Sequence, residues 1–113
     1  MSTATVLREV GVERILQDQK WGEQNHPDGT GREAYPMATP CGVDPWDMAS
    51  EARDMCQLAF AHDAGTWRDI LQEEVYEAWA AEGSDLRNEL IQVAAVAVAW
   101  IEAIDRRTQN AGA

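Results

Sequence analysis

The segment from Trp67 to Trp100 constrains the fold most: an acidic stretch, a Gly83-Ser84 turn, then an Ala/Val-rich stretch. On a helical wheel of about 100° per residue, Ile70, Leu71, Val75, Ala78, Trp79 and Ala81 form one apolar arc. Glu74 falls inside that arc, between Ile70 and Ala78, and Glu77 lies at its edge. After the turn, Val93, Val96, Ala97 and Trp100 mark the densest apolar side, and Glu89 falls among them. Glu73, Glu82 and Glu102 fall outward. Carboxylates on the packing faces of two adjacent helices are costly to bury unless a positive charge compensates them.

The short turn makes the two helices antiparallel neighbours. Counted outward from Gly83-Ser84, Glu77 then faces Glu89, and Glu74 faces Gln92 one turn further on. Three carboxylates and one amide oxygen converge, an oxygen-only donor set that suits Mg²⁺, with Mn²⁺ as substitute, rather than zinc. A di-iron site needs Glu-x-x-His on helices. That spacing occurs at Glu23 and His26, in a loop before Pro27.

The remaining chain reads as two further helices and a long loop. Val6, Leu7, Val10, Ile15 and Leu16 predict a helix from about Thr5 to Asp18, capped by Thr3 or Thr5 and ending before Lys20-Trp21-Gly22. From about residue 20 to 44 the helical period disappears among Pro27, Gly29, Gly31, Pro36, Pro40 and Gly42. This run also holds Trp21, His26, Tyr35 and Met37, which predicts an ordered loop rather than a linker. Asp44-Pro45 opens a helix that ends near His62–Gly65, and Thr66 caps the acidic helix, which runs to about Glu82. Gly83 reads as a stop and Ser84 as the cap of a last helix reaching about Arg107, with Thr108–Ala113 a frayed tail. The expected fold is therefore all-α, a four-helix bundle in a single domain over residues 1–113. The last helix is apolar almost all round, more than four helices of this length can cover, which predicts a homodimer or larger assembly. Trp46, Trp67, Trp79 and Trp100 are expected in the core or an interface.

Charge narrows the function. At a net charge of −11, with Lys20 the sole lysine, the chain lacks the basic stripe that a nucleic-acid polymer or a membrane surface requires. No signal peptide is visible, and Cys41 and Cys56 make no metal pair by spacing, so both read as structural thiols of a cytoplasmic protein.

Glu73-Glu74-Val75-Tyr76-Glu77 followed by Glu89-Leu90-Ile91-Gln92 resembles the MazG-like all-α nucleoside triphosphate pyrophosphohydrolases, whose pattern is E-E-x-x-E, a spacer, then E-x-x-D. The run Lys20-Trp21-Gly22-Glu23-Gln24-Asn25-His26-Pro27 looks like the loop of a short MazG-like branch found in bacteria and phages. The resemblance implies Mg²⁺-dependent hydrolysis of an NTP or dNTP between the α and β phosphates, giving a monophosphate and pyrophosphate. It makes Glu74, Glu77 and Glu89 metal ligands and Glu73 a supporting acidic group or base. The chain departs from the pattern at Gln92, where the family has Asp, and its spacer of 11 residues is slightly short. For substrate binding, Trp21 is expected to stack on the base, Gln24, Asn25 or His26 to read its edge, and Lys20 and Arg87 to meet phosphate. Two other readings stand beside this one: a nucleotide-binding or regulatory module without efficient hydrolysis, motivated by Gln92, and a helical dimerisation module, motivated by the apolar last helix.

Overall fold

The computed structural model describes residues 2–31 and 44–112; the part of the expected loop that carries Tyr35, Pro36, Met37, Pro40, Cys41 and Gly42 lies outside them. Among the described residues the protein is all-helical, with α1 (Thr3–Trp21), α2 (Pro45–Ala61), α3 (Trp67–Ala80) and α4 (Ser84–Gly112) and no strand. No described helix is long and apolar enough to cross a membrane.

Local chemistry explains the helix ends. Ser2, rather than Thr3 or Thr5, caps α1: its hydroxyl accepts from the Thr5 backbone N–H at 3.2 Å, one of the donors a helix start leaves without a partner. The far end of α1 also corrects the sequence reading. Lys20 and Trp21 extend the helix instead of opening the loop, because Gly22 adopts φ 69° and donates its N–H to Asp18 O at 2.8 Å. Asp44 and Pro45 start α2 as expected, with the Asp44 carboxylate accepting from Trp46 N at 2.8 Å. Thr66 starts α3 through a full capping box: its hydroxyl accepts from Asp69 N, and Asp69 Oδ2 accepts from Thr66 N. The α3 helix stops at Ala80, short of Glu82, and Gly83 takes φ 58° in the turn. Ser84 is already the first residue of α4, which runs past Arg107 and through the expected tail to Gly112.

The chain divides into two compact units, one of Met1–Pro27 with Ala97–Ala113 and one of Asp28–Val96. In the first, Val6 of α1 and Val98 of α4 are buried, and Thr3 Oγ1 donates to the half-buried Glu102 at 2.7 Å. In the second, α2 packs on α3. Pro45, Ala49, Ala52 and Cys56 of α2 and Ala78 of α3 are buried. These are mostly small side chains, which let two helix backbones approach closely. Trp67 and Trp100 are half-buried, whereas Trp46 and Trp79 are exposed in the single chain, as are Leu90, Ile91, Ile101 and Ile104 of α4. Removing the α3 cap is expected to be costly. Thr66→Ala should destabilise the protein by about 1 kcal/mol, read as a lower urea midpoint at unchanged m-value.

Candidate metal centre

Three of the four residues expected to hold a metal come together. Glu74 and Glu77 of α3 and Glu89 of α4 each place a carboxylate oxygen within 4.8 Å of the others. All three are half-buried. The i, i+3 spacing puts Glu74 and Glu77 on one side of α3, and the three-residue turn Ala81–Gly83 brings Glu89 back beside them. Gln92, a further turn along α4, is exposed.

The donor set fits a hard divalent cation. Oxygens on opposite sides of an ion with bonds of about 2.0–2.6 Å stand roughly 4–5 Å apart, the span these three already occupy. Without a cation the arrangement works against itself. Burial pushes Glu74 above the ordinary carboxylate value, and the charges of Glu77, Glu89 and Glu73 push it further. Glu77 is raised in the same way, by burial first and then by Glu73 and Glu89, and is pulled partly back by Arg53.

Arg53 is a site residue that the sequence motif does not name. It projects from α2 with its guanidinium 3.4 Å from Glu77 Oε1 and 4.0 Å from Glu73 Oε1. A signal for it exists: Trp46, Ala49, Arg53, Cys56 and Phe60 recur at helical spacing, so Arg53 is a charge on a packing face, just as Glu74 is. Glu73 also departs from the outward position the wheel gave it. Its half-buried carboxylate turns toward Arg53 and the Cys56 thiol. Burial, then hydrogen bonding to Glu73, pushes Cys56 up to about 11, so the thiol stays protonated and inert at neutral pH.

A cleft of about 400 Å³ opens beside the carboxylates, lined by Trp46, Ser50, Arg53, Glu77, Asp85 and Glu89 together with three small residues, Ala49, Ala80 and Ala81. Trp46 Nε1 donates to Ala80 O at 2.9 Å, an acceptor that the end of α3 would otherwise leave without a helical partner. That bond pins the indole while 45% of the residue remains exposed. Thr30 Oγ1 donates to the next carbonyl, Ala81 O, at 2.9 Å.

The expected substrate residues are placed differently. Lys20, Trp21, Gln24, Asn25 and His26 belong to the first unit and the carboxylates to the second. Lys20 Nζ sits 4.9 Å from the Trp21 ring centroid, a cation–π contact, and Trp21 is 63% exposed. Asn25 Nδ2 donates to Glu23 Oε2 at 3.2 Å, and His26 Nε2 lies 3.0 Å from Gln24 Oε1, so these polar groups engage one another. Arg87 is exposed on α4 and does not line the cleft. No family model, characterised protein or solved structure matches the chain.

The raised carboxylates set a pH dependence. A folded-state value above the ordinary 4.5 means that the folded protein binds these protons more tightly than the unfolded chain. The resulting stability is fully present below 4.5 and is lost as pH rises through the raised values. In chelator, Glu74→Gln should therefore melt close to the wild type at acidic pH and increasingly above it toward neutral pH. A melting-temperature difference that is flat across pH would contradict this.

Proposed function

We propose that this protein is a divalent-metal-dependent nucleotide pyrophosphohydrolase of the MazG-like kind, cleaving an NTP or dNTP between the α and β phosphates. The observation that carries the proposal is the convergence of Glu74, Glu77 and Glu89 beside a cleft that also presents a cation and an aromatic face. Glu74, Glu77 and Glu89 would hold Mg²⁺ or Mn²⁺. The ion, when bound, supplies charge neutralisation of the polyphosphate and lowers the pKa of an attacking water. The chain's own residues do the rest. Trp46 offers a pinned ring for a base, a role first assigned to Trp21. The carboxylate wall and Arg53 fix where the polyphosphate lies, and positioning accounts for most of the catalysis of phosphoryl transfer. Glu73, 4.0 Å from Arg53, serves as a supporting acidic group or base.

Leu90 and Ile91 in the second unit, and Ile101 and Ile104 in the first, are each exposed, and these side chains favour assembly as a homodimer or larger oligomer, since burying them removes apolar area from water. A second reading, nucleotide binding without efficient hydrolysis, is favoured by Gln92 alone. An amide oxygen in place of a carboxylate weakens attraction for Mg²⁺.

Pyrophosphate release should depend on Mg²⁺ or Mn²⁺ and disappear in Glu74→Gln and Glu89→Gln. Absence of turnover across a broad NTP and dNTP panel with either ion would sink the enzymatic reading. In that case metal-dependent nucleotide binding by calorimetry would support the binding module, with Gln92→Asp expected to restore turnover. Thermal stabilisation by Mg²⁺ plus nucleotide would count against a purely structural dimerisation module. Trp46→Ala should raise KM about tenfold or more, since stacking of one base on an aromatic ring contributes about 1–3 kcal/mol.

A further inference from the structure

We propose that Arg53 is a substrate-positioning latch: it holds Glu77 while the carboxylate cluster lacks a cation and turns to the polyphosphate once the cluster is filled. This inference rests on the metal-site reading above and adds to it the competition for Glu77 that the position of Arg53 sets up.

Arg53 is the one basic side chain among the described residues lining the cleft, where it faces Glu77, Asp85 and Glu89. A polyphosphate entering the cleft meets the like charges of Glu77, Asp85 and Glu89, and among the described lining residues only Arg53 carries the opposite charge. The guanidinium is held loosely. It meets Glu77 at 3.4 Å and Glu73 at 4.0 Å, longer than the roughly 2.7–2.9 Å of a tight charge-assisted bond. Its side chain is 49% exposed, against 22% for either glutamate. One hydrogen bond, to Glu77, engages a small part of a group that carries five N–H donors in a fork suited to phosphate oxygens.

The geometry also sets a competition. Glu77 belongs both to the Arg53 pair and to the three-carboxylate cluster. A divalent cation at the cluster repels the guanidinium and draws on the same carboxylate, so the two positive charges oppose each other at Glu77. A phosphate bridging toward both removes that opposition. Arg53 therefore disfavours the metal alone and favours metal and polyphosphate together. An arginine that only braced α2 against α3 would affect both binding events in one direction.

The test is calorimetric titration of the full-length protein with Mn²⁺ alone, then with inorganic tripolyphosphate at saturating Mn²⁺, so that no base preference intervenes. Arg53→Gln should bind Mn²⁺ alone roughly three- to tenfold more tightly, the scale of screened repulsion between a divalent ion and a single charge a few ångströms away. The same variant should bind Mn²⁺-tripolyphosphate about tenfold or more weakly. Arg53→Lys, which keeps the charge, should retain the wild-type Mn²⁺ affinity and recover part of the tripolyphosphate binding. Circular dichroism confirms that each variant is folded, and Arg53→Met, which keeps the aliphatic stem, replaces Arg53→Gln if the latter is not. Equal or same-direction changes in the two affinities would overturn the latch while leaving the metal site intact. Wild-type Mn²⁺ binding that is absent, or unaffected by Glu89→Gln, would overturn the metal-site reading and the latch with it.

Discussion

Mutual repulsion among Glu74, Glu77 and Glu89 is the constraint to which the second unit answers. Three carboxylate oxygens within 4.8 Å, each on a half-buried residue, would separate in a looser structure. They are held by the capped start of α3, the three-residue turn after it and the close packing of α2 on α3. Burial of Ala49, Ala52, Cys56 and Ala78 at that contact is what lets Arg53 reach Glu73 and Glu77. A larger residue at any of these positions would push the helices apart and leave the carboxylates with less compensation.

The compensation is partial. Arg53 lowers Glu77 but does not reach Glu74, whose shift has only raising causes. An exposed, loosely held pair of this kind contributes about 0–1 kcal/mol, too little to offset the burial of three like charges. The unit therefore carries an unbalanced negative charge beside a cleft with a fixed aromatic wall, an arrangement suited to a cation and an anionic ligand arriving together. Under the proposed function, holding these half-buried carboxylates together is the preorganisation that such a ligand pair would meet.

Legibility followed from whether a residue conflicted with its local pattern. Glu74 and Glu89 stood out because each interrupts an apolar arc, and the structure brings both into the cluster. Arg53 interrupts the α2 arc in the same way, but the adjacent Ala52 leaves the arc ambiguous. Glu73 misled for the opposite reason: a wheel places it outward, yet a third helix packs on that side of α3, and a wheel of one helix cannot register where a neighbour lies. Apolar periodicity fades before Lys20 and Trp21, which predicts a loop there. The left-handed Gly22 ends the helix later than periodicity does.

The amino-acid order alone determined the helices, their caps at Asp44 and Thr66, and the pairing of Glu77 with Glu89 across Gly83. Each of these depends on interactions within a few residues or across one short turn. Only the tertiary structure decided that Arg53 answers Glu73 and Glu77, that Trp46 rather than Trp21 walls the cleft beside the carboxylates, and that Gln92 stays exposed. Those outcomes depend on which faces of separate helices meet, and that is set by the packing of small side chains far apart in the chain.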